Sequence, residues 1–105
     1  MRPMLFGYLH PPVALPGSEL AALSWALTSF AETEGFTLAG IFVETAGSGD
    51  GAFTALLATM QRWDARAVAV PSLSHLARVR GLPPAEDRLD HIGALVLVVR
   101  VNREG

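Results

Sequence analysis

Two histidines and one glutamate carry the side chains best suited to acid–base or metal chemistry in this sequence. Each of the three, His10, Glu44 and His75, comes at or soon after the end of an apolar run. Imidazole and carboxylate groups can take and give protons in catalysis, and two histidines with a carboxylate suit zinc. The absence of a compact motif such as HExxH favours a simpler interpretation, in which the histidines are polar residues at the rim of the fold. We therefore predict no metal and no cofactor.

Three serines and one arginine form a second set of candidates. The hydroxyl groups of Ser48, Ser72 and Ser74 could attack a substrate or bind phosphate, but their sequence contexts favour structural roles. Ser48 lies in a glycine-rich turn, and Ser72 or Ser74 stands where a helix N-cap belongs. No G-x-S-x-G nucleophile elbow occurs. Arg78 is the best single candidate for contact with an anion.

The glycine-rich stretch GSGDG, residues 47–51, precedes a predicted helix. Backbone N–H groups at such a position could bind an anion with help from the helix dipole. The stretch lacks the G-K-[ST] of a P-loop, and Asp50 would repel a phosphate. These features favour an ordinary loop over an anion site.

Composition limits the classes of protein that the sequence can encode. The chain has 105 residues, of which 50% are hydrophobic and 17% charged, as expected for one folded domain spanning residues 1–105. It has no cysteine, which excludes disulfides and thiolate chemistry. The net charge is −2 and the arginines are scattered, unlike the basic patch of a self-sufficient nucleic-acid binder. The longest apolar run, 94–99, is too short to cross a bilayer, so we expect a cytoplasmic protein without membrane contact.

The periodicity of apolar residues predicts four strands, at 4–9, 37–45, 66–71 and 94–101. The continuous apolar run of the fourth strand predicts burial on both of its faces. A short helix should follow the third strand, and another turn or two should cover 85–91.

Two longer helices are predicted between the first three strands. For the first, Ser18 is the N-cap candidate and Gly35 lies just past the end. The second covers 53–63. The apolar stripe of the first helix is Leu20, Leu23, Leu27, Phe30 and Ala31, and that of the second is Phe53, Leu56, Leu57, Met60 and Trp63.

Alternating strands and helices imply right-handed βαβ units and therefore a three-layer α/β fold. We expect a four-stranded, mostly parallel sheet with helices on both faces. In such sheets, ligands bind beyond the carboxyl ends of the strands. Three loops should meet there: HPP after the first strand, ETAGSGDG after the second and SLSHLAR after the third.

These three loops together resemble the catalytic domain of the serine recombinases, the resolvase and invertase family. GYLHPP (7–12) stands where the family has Gly-Tyr-x-Arg-Val-Ser at the end of its first strand. EGFTLAGIFVETAGSG (34–49) resembles the family's second strand and the Ser-Gly that comes after it, with Glu44 in place of an aspartate and Ser48 retained. LSHLAR (73–78) corresponds to Leu-Asp-Arg-Leu-Ser-Arg. The resemblance implies a resolvase-like fold over roughly residues 4–100.

The departures from the family pattern bear on activity. Pro12 occupies the position of the nucleophilic serine and has no hydroxyl, and His10 replaces an arginine. Ser74 and His75 replace an Asp-Arg pair, which leaves Arg78 as the remaining arginine of that motif. Recombinases need clustered guanidinium groups to hold the scissile phosphate. The resemblance therefore implies a domain that has lost strand exchange.

The favoured functional hypothesis is a catalytically inactive, recombinase-like module that acts through a protein partner or as a homo-oligomer. It predicts an exposed apolar patch around Trp25 or an edge strand. One alternative is residual DNA or nucleotide binding through Arg78, His10 and His75. Another is a small hydrolase-type enzyme that uses His10, Glu44 and His75.

Overall fold

The computed structural model describes residues 2–11, 15–44, 51–76 and 85–99, and for residues 73, 74 and 85–87 it describes the backbone alone. Pro12, Ser48, Asp50 and Arg78 lie outside the described residues. Along the chain the elements are β1 (Met4–Leu9), α1 (Gly17–Thr33), β2 (Thr37–Val43), α2 (Gly51–Trp63), β3 (Ala67–Val70), a 3₁₀ turn (Leu73–Leu76), α3 (Ala85–His91) and β4 (Leu95–Val98).

The four strands form one sheet in the order β2-β1-β3-β4. Each neighbouring pair is parallel, so β1 and β3 lie in the centre and β2 and β4 at the edges. An irregularity interrupts the β1–β2 register, where Leu5 pairs with Leu38 but Phe6 pairs with Gly40. Ala39 is thus an extra residue in β2, as in a β-bulge.

The side chains of β1 alternate between two cores, as the period of a strand requires. Phe6 and Tyr8 enter one core with α2 and α3, whereas Leu5 and Leu9 enter the other with α1. Helices therefore cover both faces of the sheet, and the predicted three-layer α/β architecture is confirmed.

Gly7 lets α1 approach the centre of the sheet closely. A Cβ atom at this position would lie 2.8 Å from Cδ1 of Leu27, which is closer than carbon atoms can pack. Leu27 and Ala31 are the fully buried members of the predicted α1 stripe, while Leu20, Leu23 and Phe30 pack against them at its margins.

The predicted N-cap of α1 is wrong, whereas its predicted end is confirmed. The N-cap is Pro16, with φ −57° and ψ 151°, and Ser18 lies inside the first turn. Proline suits this position because its ring fixes φ, and its carbonyl oxygen accepts hydrogen bonds from the N–H groups of Glu19 and Leu20. Gly35 follows the helix with φ +81°, the left-handed conformation that favours glycine.

Two predictions about burial are also wrong. Leu95 of β4 is 66% exposed and Val98 is 43% exposed, because β4 is an edge strand and not a central one. Trp63, predicted to share the core face of α2, is 59% exposed because it is the last residue of the helix and lines an open groove with residues of β1 and β2. None of the described helices is long and apolar enough to cross a membrane.

Candidate functional site

The carboxyl ends of β1, β2 and β3 bring His10, Glu44 and His75 together. Glu44 follows β2, and its N–H donates to the carbonyl oxygen of Leu9 at 2.7 Å. His10 follows β1, and its N–H donates to Nδ1 of His75 at 2.8 Å. These contacts follow from the parallel pairing of β1 with both of its neighbours, which places three strand ends side by side.

Glu44 is buried, with 3% of its surface exposed, and its carboxylate caps the start of α2. Oε1 accepts a hydrogen bond from the N–H of Ala52 at 2.8 Å, and Oε2 accepts one from the N–H of Phe53 at 3.0 Å. A carboxylate is favourable at this end of a helix because the helix dipole is positive there. Glu44 is therefore an anchor between the end of β2 and the first turn of α2.

This cap bears on the glycine-rich stretch that precedes α2. An anion bound there would need backbone N–H groups of the first helical turn. The N–H groups of Ala52 and Phe53 already donate to the carboxylate of Glu44. The chain thus supplies its own anion at this end of α2, which begins at Gly51. Residues 47–50 lie outside the described residues, so their interpretation as a loop stays a prediction.

Tyr8 connects Glu44 to His10. Its hydroxyl group donates to Oε2 of Glu44 at 2.9 Å, inside the core. The same hydroxyl oxygen lies 3.4 Å from Nδ1 of His10, a long contact in which His10 is the donor because the tyrosine proton is directed to Glu44. The rings of Tyr8 and His10 meet edge to face, with centroids 6.1 Å apart. We call Tyr8, His10, Glu44 and His75 the carboxyl-edge cluster.

His75 is held as a neutral imidazole. Because Nδ1 accepts the hydrogen bond from the backbone of His10, the proton of the neutral ring resides on Nε2. Burial lowers the pKa of His75 below its ordinary value, and the nearby charge of His10 lowers it further. A protonated ring could not accept this hydrogen bond, so the geometry and the pKa favour the same state.

The zinc alternative is not supported by these positions. Among the described residues, no group of three histidine, aspartate or glutamate side chains could hold a metal ion, and His10, Glu44 and His75 are all described. The oxygens of Glu44 point to α2, and Nδ1 of His75 faces the backbone of His10. Because both oxygens of Glu44 already accept hydrogen bonds from α2, the structure gives no support to a hydrolase in which Glu44 moves a proton.

Two residues near the strand ends escaped the sequence analysis. Tyr8 could have been found, because it lies two residues before His10 and therefore on the same face of β1. Arg88 of α3 could not, because no local pattern links it to α2. Its guanidinium carbon lies 4.9 Å from the ring centroid of Phe53, and Nη2 lies 3.3 Å from Oγ1 of Thr54.

The remaining candidates are placed only in part. The backbone of Ser74 belongs to the 3₁₀ turn, in which the N–H of His75 donates to the carbonyl oxygen of Ser72 at 3.2 Å. A capping role for the side chain of Ser72 or Ser74 stays a prediction. Ser48 and Arg78 lie outside the described residues, so their predicted roles also stay predictions.

The parallel sheet with strand order β2-β1-β3-β4 and helices on both faces is the fold of a resolvase-like catalytic domain. The catalytic domain of ISC1926 TnpA, an IS607-like serine recombinase, superimposes with a TM-score of 0.75 at 14% identity, over 96% of this chain and 72% of that one. A resolvase family site-specific recombinase from Streptococcus pneumoniae gives 0.75 at 16% identity, over 93% and 72%. No protein-family model and no curated protein sequence matches the chain. The resemblance to serine recombinases is thereby confirmed at the level of the fold.

Proposed function

We propose that this chain is a catalytically inactive, recombinase-like domain that acts through contacts with protein. The proposal starts from the sequence, where Pro12 stands in the position that the resemblance assigns to the nucleophilic serine. Proline has no hydroxyl group and cannot form a phosphoserine bond to DNA. His10 and His75 replace two of the guanidinium groups that would stabilise a phosphoryl transition state.

The observation that carries the proposal is the hydrogen bonding of the Glu44 carboxylate within the fold. A catalytic carboxylate must be able to exchange a proton with a reacting group. Both oxygens of Glu44 instead accept hydrogen bonds from the start of α2, and one also accepts from Tyr8. His75 likewise directs Nδ1 to the backbone of His10. A cluster whose polar atoms bind one another in this way stabilises the fold at the place where a recombinase would hold DNA.

Action through protein contacts is supported by large apolar side chains on the surface. Trp25 on α1 is 72% exposed, and Trp63 and Leu95 are also more than half exposed. Tryptophan is enriched among the residues that dominate binding energy in protein interfaces. Leu95 lies on β4, an edge strand of the sheet, and an unpaired strand edge also favours association.

A trapping experiment tests the loss of catalysis. The chain is incubated with sheared genomic DNA from its own organism and separated on a denaturing gel, with an active serine recombinase on its own target site in parallel. We expect a covalent protein–DNA product from the active enzyme and none from this chain. A covalent product from this chain would contradict the proposal.

A recovery experiment tests the protein contacts. Tagged wild-type chain, Trp63→Ser and Trp25→Ser are recovered from the native organism, and an untagged copy of the chain counts as a partner. We expect the wild type to recover at least one protein that one of the two variants loses, because removal of a central tryptophan weakens binding strongly. Identical sets of recovered proteins for all three chains would contradict this part of the proposal.

Residual binding of nucleic acid is the second candidate, and Arg88 is the observation that favours it. Its guanidinium group lies beside Phe53, which contacts Tyr8 of the carboxyl-edge cluster with ring centroids 5.2 Å apart. A cation near the strand ends could bind a phosphate, together with His10, His75 and Arg78.

This candidate predicts a gel shift at low salt that weakens in Arg88→Ala and Arg78→Ala. Arg66→Ala is the control, because Arg66 forms an exposed ion pair with Asp64. A shift that Arg66→Ala weakens equally would reject the cluster as the binding site.

A further inference from the structure

One hydrogen bond joins the end of β1 to the 3₁₀ turn that follows β3. The direct pairing of these two strands is short and stops where Gly7 lies opposite Ala69. Beyond that pair, the N–H of His10 donates to Nδ1 of His75 at 2.8 Å. A side chain from the turn thus replaces the backbone acceptor that a longer ladder would offer, and it connects two points that are 65 residues apart in the chain.

This hydrogen bond exists only while His75 is neutral. Nδ1 accepts through a lone pair, whereas an imidazolium ring has an N–H group on each of its nitrogens. After protonation, the N–H of His10 would point at another N–H across the same 2.8 Å. Because both groups are then donors, protonation turns an attractive contact into a repulsive one.

Among the described residues, the charged groups around His75 do not favour its protonation. Glu44, the carboxylate of the cluster, accepts hydrogen bonds from the first turn of α2. β3 contributes no titratable residue, and Arg88 of α3, which lies over the Phe53 ring, is a cation. Burial lowers the pKa of His75, and the charge of His10 at the end of β1 lowers it further.

The 3₁₀ turn that carries His75 has little structure of its own to hold it in place. It spans four residues, Leu73–Leu76, and its described backbone hydrogen bond runs from the N–H of His75 to the carbonyl oxygen of Ser72 at 3.2 Å. His75 is 8% exposed, and Leu76 beside it packs in the core with Tyr8. A charged His75 gains water when the turn moves outward, and the same movement draws Leu76 out of the core.

We infer that the hydrogen bond between His10 and His75 is a pH-sensitive switch. A proton from solvent binds Nδ1 of His75, the hydrogen bond breaks, and the turn Leu73–Leu76 separates from the end of β1. No covalent bond other than this new N–H bond is made or broken. At the same edge, the N–H of Glu44 donates to the carbonyl oxygen of Leu9, which does not titrate. The sheet therefore stays folded while the carboxyl-edge cluster opens. The inference concerns this cluster alone and does not depend on the proposed function.

Hydrogen exchange of individual amides in the full wild-type chain, followed by NMR as the pH is lowered, tests the switch. We expect the protection of the His10 amide, relative to its intrinsic exchange rate, to fall at least about tenfold as His75 takes up its proton. The midpoint should lie below about 6.5, the ordinary pKa of histidine, because burial opposes the charge. The Glu44 amide is the internal control and should keep its protection. Unchanged protection of the His10 amide, or an equal loss at Glu44, would overturn the inference.

Substitution of His75 separates its titration from other effects of acid. His75→Asn keeps an oxygen acceptor near the position of Nδ1 and takes up no proton in this range, so the His10 amide should stay protected at every pH tested. His10→Asn retains the backbone N–H that donates but removes the charge of the ring, so the midpoint should move to higher pH. His91→Asn is the matched control, because it removes an exposed histidine outside the cluster. A release that persists in His75→Asn would overturn the inference, and the wild-type measurement stands even where a variant does not fold.

Discussion

The carboxyl-edge cluster and an apolar groove of about 390 Å³ between β1, β2 and α2 lie on the same side of the sheet, and β1 contributes to both. Phe6 lines the groove, and Tyr8, two residues further on, joins the cluster. In the cluster, polar atoms are buried and bind one another, so an external ligand would have to displace bonds that already exist. In the groove, apolar atoms line open space and have no such bonds to lose. The region that resembles an enzyme site is therefore filled by its own hydrogen bonds. The apolar groove, which lacks charged residues in its described lining, has open space.

Glu44→Ala should cause the largest loss of stability, because it removes the carboxylate on which the carboxyl-edge cluster depends. It leaves two helical N–H groups and the Tyr8 hydroxyl without their acceptor inside the core. We expect the free energy of unfolding to fall by about 2–4 kcal/mol, measured by urea denaturation. Glu32→Ala, on the exposed side of α1, is the control and should change stability little. Equal effects of the two substitutions would show that Glu44 does not anchor α2.

Two glycines, Gly7 of the central strand β1 and Gly40 of the edge strand β2, distinguish packed core from open groove. Gly7→Ala places a Cβ atom 2.8 Å from Leu27, which is fully buried and can move little, so we expect a loss of about 1–3 kcal/mol. Gly40→Ala meets only Phe6 at 3.8 Å and should be tolerated without loss. Thermal or urea unfolding of both variants measures the difference. A Gly40→Ala chain that is as unstable as Gly7→Ala would mean that the groove is not open space.

The sequence was sufficient for the architecture because periodicity separates strands from helices. The alternation of Leu5 and Leu9 with Phe6 and Tyr8 places β1 between two cores, as observed. Periodicity does not reveal strand order, however. The apolar run of β4 therefore predicted a buried strand, although Leu95 lies at an edge.

The candidate site was predictable in its position but not in its bonding. Parallel strands bring their carboxyl ends together, which is why His10, Glu44 and His75 were expected to meet. Whether the carboxylate of Glu44 stays open to a ligand depends on how the end of β2 lies against α2. That contact spans eight residues between Glu44 and Ala52 and has no local sequence signal. Arg88 was missed for the same reason, since its partners Phe53 and Thr54 are distant in sequence.

Tyr8→Phe tests the cluster more gently than removal of Glu44. The ring keeps its edge-to-face contact with Phe53, at 5.2 Å between centroids, while the hydrogen bond to Glu44 is lost. Glu44 still accepts from Ala52 and Phe53, so we expect a loss of about 1 kcal/mol in urea denaturation. A loss as large as that of Glu44→Ala would mean that Tyr8 contributes more to the cluster than its hydrogen bond to Glu44.

The smallest expected effect is the dependence of stability on pH through His75. Burial and the charge of His10 lower the pKa of His75 in the folded chain, so the unfolded chain binds this proton more readily. Stability contributed by neutral His75 is present above the unfolded value of about 6.5 and is lost as the pH falls below it. Urea denaturation between neutral and mildly acidic pH should show this loss in the wild type and a flatter profile in His75→Gln. His91→Gln is the control, because it removes an exposed histidine that lies outside the carboxyl-edge cluster. An unchanged profile in His75→Gln would mean that the cluster does not hold His75 neutral.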